Sequence, residues 1–296
     1  MSVDGILNTI KPAGKSSFAM ISLIRRLSGE RRVGHAGTLD KAASGVLPVC
    51  LGKATRVVEF LAKTHKIYRA NIKLGVVTDT YDHAGNITEE KDCFNVEREQ
   101  VERLLPSFVG NIEQVPPMYS AIKRDGMRLH QLARAGFEVE RRPRKIDIYS
   151  IDLLDWQPPF FVIDVECGKG TYIRSLAYDI GQALGCGAHL FSLVRLKNGI
   201  FDIAEGLTVE QLDDAFNGGY WQDVLHPMDS VLVHMPAAVV DSHMEKEIRN
   251  GVSVDLNVEK DSDLDWCRAY SEGGELIALL RYKSSMDRWH PQKVLI

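Results

Sequence analysis

The chain has 296 residues, with 36 Lys and Arg against 40 Asp and Glu, 45% hydrophobic residues and a mean hydropathy of -0.14. That balance excludes disordered and fibrous classes and leaves room for a substantial core with a second, smaller domain. The longest apolar runs, such as residues 277–280, fall far short of the roughly 20 residues of a membrane span, and no charged-then-apolar leader opens the sequence. A cytoplasmic protein is expected. Cys50, Cys93, Cys167, Cys186 and Cys267 show no CxxC or CxxH spacing, which reads as reduced thiols and disfavours a disulfide framework or structural zinc.

Ser16 and Ser17 precede Phe18, Ile21, Ile24 and Leu27, apolar residues on one helical face, and Gly29 ends that helix. A glycine-rich loop over residues 34–45 leads to a strand over 46–51 and a short helix over 55–61. Lys66–Leu74 alternates, placing Tyr68, Ala70, Ile72 and Leu74 on the less polar side of a strand. Val101, Leu104, Leu105 and Phe108 mark an amphipathic helix, and Pro116-Pro117 opens a segment leading to a helix near residues 127–135. Residues 146–154 and 161–167 read as neighbouring strands around Gln157-Pro158-Pro159. Thr171 is placed to cap a helix carrying Ile173, Leu176, Ala177, Ile180 and Leu184. Residues 190–196 and 200–203 form a hairpin turned at Asn198-Gly199, and Thr208 with Gln211 makes a capping box.

Strands and helices mix without strict alternation, predicting an α+β domain on a mixed, mostly antiparallel sheet flanked by helices. After Pro236 the texture changes to one short helix, Ser242–Arg249, and several short strands with a hairpin at Gly273-Gly274. The expected boundary is therefore near residue 234, with a small β-rich domain over 235–296.

A net charge of -4 hides segregation: residues 123–145 and residues 11–32 each sum to +5, whereas residues 241–265 sum to -5. A polarised molecule with a surface suited to a polyanion is expected. The segment Val33 to Pro48, VGHAGTLDKAASGVLP, gathers glycines around a single His and a single Asp, so backbone can approach a ligand closely there. A P-loop is excluded because Gly168-Lys169 is followed by Gly170, and no HExxH, GxSxG or GxGxxG is present. A carboxylate, two tyrosines (Tyr68, Tyr172) and Arg174 remain on different elements, and composition and spacing alone do not name a reaction.

Residues GHAGTLD (34–40) with SGVLP (44–48) closely resemble the signature loop of the TruB family of tRNA pseudouridine synthases. In order along the chain, KPAGKSS (11–17) resembles that family's N-terminal motif, KIYRA (66–70) its substrate-stacking strand, and CGKGTYIRSL (167–176) its arginine-bearing motif, continued by LGCGAHL (184–190). The tail, through Ile248-Arg249-Asn250-Gly251 and Pro291-Gln292-Lys293-Val294-Leu295, resembles a small PUA-type RNA-binding domain. The resemblance implies a pseudouridine synthase fold over 1–234 with an RNA-gripping insertion at about 79–142. It implies isomerisation of the T-loop uridine at tRNA position 55 by base flipping, as a monomer with no protein partner, no metal and no cofactor.

On the same resemblance, Asp40 is the nucleophile and Arg174 its paired cation, which favours the charged carboxylate in a partly dry pocket. Tyr68 stacks on the extruded base and can relay a proton. His35 enters the vacated space, Tyr172 and Leu193 line the uracil pocket, and Lys11, Lys66 and Lys169 are assigned to phosphate contacts. Lys41 follows Asp40 where many relatives have proline, which removes a φ restraint from the loop. The acidic tail leaves Arg281, Lys283, Arg288 and Lys293 as its RNA contacts, aiding binding and not chemistry. The rival expectation is a non-catalytic tRNA-binding or tRNA-folding protein on the same scaffold.

Overall fold

The computed structural model describes residues 3–124, 126–258 and 265–295, with backbone alone for Arg124 and Arg134. Asp125 and residues 259–264, parts of the charge runs above, lie outside the described residues. Strand β1 (Gly5–Lys11) leads to α1 (Ser17–Ser28), β2 (Val33–His35) and β3 (Ser44–Leu51). Ser16 caps α1 by accepting the Ala19 N–H, and Gly29, at φ 68°, closes it by donating to the Arg25 carbonyl. A 3₁₀ turn, Gly52–Val57, runs into the one-turn α2 (Val58–Leu61), followed by β4 (Lys66–Leu74), β5 (Val76–Thr78) and β6 (Ile87–Glu90). Next come α3 (Arg98–Leu104), β7 (Gly110–Gln114), β8 (Lys123–Arg124), β9 (Met127–Arg128) and α4 (Leu129–Arg134). Then β10 (Arg144–Gln157), β11 (Phe160–Cys167), α5 (Ile173–Ala183), β12 (Ala188–Asn198), β13 (Phe201–Asp202) and α6 (Val209–Asn217) complete the larger unit.

One nine-stranded sheet runs in the order β1-β3-β12-β4-β11-β10-β7, with β2 beside β3 and β13 beside β12. Its pairings are antiparallel except between β3 and β12, where Ser44 and Gly45 meet Val194 and Arg195 in parallel register. The predicted α+β class and mostly antiparallel sheet are what the chain forms. Helix α5 buries Ile173, Leu176, Ala177 and Ile180 on the face carrying Tyr68, Ala70, Ile72, Ile163 and Val165. Helix α1 buries Met20, Ile21 and Ile24 against Leu7, Leu47, Val49 and Leu51.

Three local expectations shift. Thr171 does not cap α5: its hydroxyl donates to the Gly168 carbonyl, and Tyr172 occupies the cap position without a side-chain bond. The β12–β13 turn is Gly199-Ile200, because Asn198 already pairs with Phe201. The stretch at about 79–142 is not a simple appendage. Its β7 is an edge strand of the main sheet, and Val101 and Leu105 are fully buried in the core.

The C-terminal part consists of β14 (Ala237–Val240), α7 (Ser242–Arg249), β15 (Trp266–Ser271), β16 (Leu276–Lys283) and β17 (Arg288–Val294) in a four-stranded sheet of order β14-β15-β16-β17. It is docked, not tethered. Leu279 and Leu295 share a core cluster with Ile6, Val46, Phe60 and Leu232, and Trp266 packs edge-on against Phe60 at 5.0 Å. Lys293 donates to the Arg56 carbonyl at 2.7 Å and pairs with Glu59 at 2.5 Å, which corrects its assignment to RNA. Leu279→Ala should therefore cost about 2–5 kcal/mol of stability in the whole chain, with one cooperative denaturant transition shifted. Two transitions, with the larger unit's unchanged, would show the two parts to be uncoupled.

Candidate active site

The Asp40 loop, between β2 and β3, has no regular hydrogen-bonding ladder, so its carbonyls need partners from elsewhere. Three elements, α1, β1 and β12, and the turn at Gly14 supply them. The Ser17 hydroxyl, at the start of α1, donates to the Leu39 carbonyl at 3.1 Å and accepts the Leu39 N–H at 3.0 Å. The Lys41 carbonyl accepts the Gly14 N–H at 2.8 Å, with the Lys11 ammonium at 3.4 Å. From β12, Asn198 donates to the Ala36 carbonyl at 2.9 Å, and Arg195 donates to Gly37 at 3.0 Å and to Val46 at 2.7 Å.

Arg174 stands in the first turn of α5 and joins three segments. Its Nε lies 2.9 Å from Asp40 Oδ2, Nη1 donates to the Thr80 carbonyl at 3.2 Å and faces Asp82 Oδ2 at 3.6 Å, and Nη2 donates to the Tyr119 carbonyl at 2.9 Å. One turn further along α5, Tyr178 stacks on Tyr81 at 4.2 Å. Tyr81 has φ 62°, a strained value for a residue with a bulky side chain, and it is held there between Thr80 and Asp82. Asp82 is locked in turn, accepting the Thr80 hydroxyl at 2.6 Å and the Ala84 N–H at 3.1 Å.

Asp40, Asp82, His83, Arg174, Leu190, Phe191, Ser192 and Leu193 line a shallow cleft. The Asp40 side chain is 49% exposed whereas that of Arg174 is 6% exposed, so the carboxylate is held from behind and open to the cleft.

The structure brings together Asp40, Arg174 and Leu193 in the cleft. Tyr68 lies beneath on β4, nearly buried, facing Arg195 across the β4–β12 pair. Burial pushes its phenol up, and the Arg195 guanidinium, within hydrogen-bonding reach, opposes that shift. His35 is half-buried on β2, and its Nδ1 has no hydrogen-bond partner among the described residues. Burial first and Arg195 second lower its imidazole, favouring the neutral ring. Tyr172 is half-buried before α5, its backbone bonded at both ends to the Gln114 amide. Lys169 is exposed in the preceding turn.

Lys11 and Lys66 are corrected. Both are buried, the Lys11 ammonium on the carbonyls of Pro12 and Lys15 at 2.9 and 2.6 Å, the Lys66 ammonium on those of Ala62 and Thr64 at 3.2 and 2.6 Å. They brace backbone and are turned away from any phosphate. Burial is the main cause that pushes each down to about 8, with Arg195 adding to it and Asp40 opposing it at Lys11. Asp82 and Arg195 were missed. Asp82 reads locally as a turn residue, and its partner is far along the chain; the alternation of β12, which puts Arg195 on the side of Leu193, was the available signal for Arg195.

A sequence profile described as TruB family pseudouridylate synthase (N terminal domain) matches residues 25–173, and one described as tRNA pseudouridylate synthase B C-terminal domain matches residues 174–233. The tRNA pseudouridine synthase B of Dehalococcoides mccartyi strain 195 is 42% identical over 294 residues, 99% of this chain and 97% of that protein. Its counterpart in Clostridium perfringens strain 13 is 41% identical over 281 residues, 94% of each. A chain of a Cbf5-Nop10-Gar1 complex superposes with a TM-score of 0.75 at 28% identity, over 99% of this chain and 85% of that one. Fold and site thus define an isomerase of the pseudouridine synthase class. Within that class, the chain belongs to the TruB family of pseudouridylate synthases.

Two predictions follow from this geometry. Arg174→Lys should lower the rate of pseudouridine formation by at least about a hundredfold, roughly 2.7 kcal/mol, since an ammonium cannot span three segments; a near-parental single-turnover rate would remove Arg174 from the mechanism. The second concerns pH. Lys66 holds its proton to about pH 8 when folded and to its ordinary 10.5 when unfolded. Between these values the unfolded state binds more protons, so the lysine's contribution to stability rises with pH. The Tm difference between parent and Lys66→Met should shift in the parent's favour from pH 8 to 10, and a flat difference would contradict the burial argument.

Proposed function

We propose that this enzyme converts the uridine at position 55 in the T-loop of tRNA to pseudouridine, with Asp40 as nucleophile. The observation that carries the reading is the Asp40–Arg174 contact, an exposed carboxylate on a buried guanidinium in a cleft lined by Leu190, Phe191 and Leu193. A uridine stacked within the T-loop cannot enter the cleft, so the nucleotide is extruded at a cost of a few kcal/mol, offset by contacts outside the cleft. Arg174 pairs with the carboxylate and fixes its direction. Asp40 attacks, the bond between uracil and ribose breaks, and the base leaves as a delocalised anion, so no second carboxylate is needed to protonate a leaving oxygen. The base turns within the cleft and its carbon 5 bonds to the ribose as the bond to Asp40 breaks; the hydrogen on carbon 5 is then released as a proton and the freed ring nitrogen takes one up. Tyr68 flanks the base and handles a proton, Leu193 and Tyr172 bound its plane, and His35 fills the space it vacates.

Charge supports the substrate class. Lys123, Arg141, Arg142 and Arg144 line a broad groove with Pro116, Ile122 and Leu129, and Lys15, Arg25, Arg26, Arg31 and Arg32 are exposed around α1. Both surfaces suit a phosphate backbone, as does Lys169. We read the groove as the RNA-gripping part, residues 1–234 as the catalytic domain and 235–296 as a PUA-like RNA-binding domain that contributes Arg288 and Lys283. The protein acts as a cytoplasmic monomer, without metal, cofactor or protein partner. Among the described residues no helix is long and apolar enough to cross a membrane. A scaffold that merely bound or folded tRNA would need no open carboxylate on a buried guanidinium.

The test is tritium release from tRNA labelled at carbon 5 of uridine 55, with chelator present. Asp40→Asn should bind tRNA within about threefold of the parent and release no tritium above background, because one nucleophile is removed and the phosphate contacts stay. Turnover by Asp40→Asn, or release that depends on metal, would overturn the reading.

A further inference from the structure

Arg195 is among the largest fully buried side chains of the protein, at 0% exposure. A buried guanidinium is costly unless its donors are satisfied and its charge is used. Among the described residues it forms no salt bridge within 4 Å, unlike Arg174. Its donors go to backbone on both sides of the Asp40 loop, Nη2 to Gly37 and Nε to Val46. The close approach depends on Gly45, at φ 107°: a Cβ there would lie 2.2 Å from the Arg195 carbonyl oxygen. On its other side, Arg195 is paired in register with Tyr68 across β12 and β4. One side chain therefore touches the base of the loop carrying the nucleophile and the strand carrying the tyrosine.

We propose that Arg195 is a positioning residue of the reaction, which locks the Tyr68 hydroxyl and the Asp40 loop into one register so that phenol and carboxylate address the same base. The guanidinium has donors only, so the phenol oxygen facing it accepts. The phenol's own proton is thereby turned away from Arg195. A neutral residue of similar length could fill the space but would leave the phenol free to rotate and the Gly37 carbonyl without its donor. Lysine keeps the charge yet lacks the fork that reaches Gly37, Val46 and Tyr68 together. Arg195 is fully buried and presents no surface to a polynucleotide, so the effect belongs to the chemical step. The inference rests on the proposed roles of Asp40 and Tyr68.

The experiment measures single-turnover rate and KM for Arg195→Lys and Arg195→Gln, per folded molecule by circular dichroism, each alone and combined with Tyr68→Phe, with Asp40→Asn alongside. The expected result is a rate 10- to 100-fold lower for both arginine variants, KM within threefold of the parent, and a loss at least tenfold smaller when Tyr68→Phe is already present. Arg195→Lys tests the inference if Arg195→Gln does not fold. Equal losses with and without the Tyr68 hydroxyl, a change in KM alone, or a parental rate for Arg195→Lys would each overturn it. Activity in Asp40→Asn would instead sink the reading of the site itself, whereas an inactive Asp40→Asn beside additive arginine losses would sink the role of Arg195 alone.

Discussion

The arrangement of the cleft depends on the burial of one charge, the Arg174 guanidinium. At 5% exposure it cannot rely on water, and an unpaired buried charge costs several kcal/mol. Its planar fork must therefore be met by protein acceptors, and these come from the Asp40 loop, the Thr80–Asp82 turn and the Tyr119 carbonyl. None of these segments is a regular element that could hold its own place. Each is fixed relative to α5 because the same guanidinium needs them all. The helix is rigid in turn, with Ile173, Leu176, Ala177 and Ile180 packed into the sheet.

Beneath the cleft, loop 36–43 is held by side-chain donors instead of ladder bonds. Ser17, Lys11, Asn198 and Arg195 reach it from α1, β1 and β12. Two of these are buried cations, and Lys66 adds a third close to Gly37. Burying cations in a core opposes folding, and burial, with a smaller push from Arg195, is what lowers the two lysines. The same charges favour an anion above them. Asp40 is thus presented on a support that is electrostatically suited to a carboxylate and has little freedom to move, even though Lys41 lacks the φ restraint of proline. The strained Tyr81 follows the same logic: a backbone position costly by itself is maintained by stacking on Tyr178.

Local pattern made most elements legible. The α1 caps, the alternation of Lys66–Leu74 and the Thr208–Gln211 capping box all follow from side-chain chemistry within a few residues, and they form as read. Motif order made Asp40, Tyr68 and Arg174 legible as a set, and Asp40 and Arg174 meet in space. What could not be read was nonlocal. Lys11 and Lys66 look like surface charges because a lysine is seldom buried; only the fold shows that carbonyls of neighbouring turns wrap each ammonium. Asp82 sits in a run of turn-forming residues, and nothing within that run announces an arginine on another element. Arg195 was hidden for a related reason: a charged residue in a strand suggests an outward face, whereas here the parallel contact at Gly45 turns it under the loop.

The placement of charge constrains how a large polyanion could be held. The exposed cations near α1 and the groove lined by Arg141, Arg142 and Arg144 are the surfaces able to hold one, despite a net charge of -4. Buried bonds join the cleft to segments that neighbour each surface along the chain: Arg174 donates to the Tyr119 carbonyl, near Pro116, Ile122 and Lys123 of the groove, and Ser17, which begins α1, donates to the Leu39 carbonyl. A change at Ser17 would be felt at the Asp40 loop although its side chain does not line the cleft.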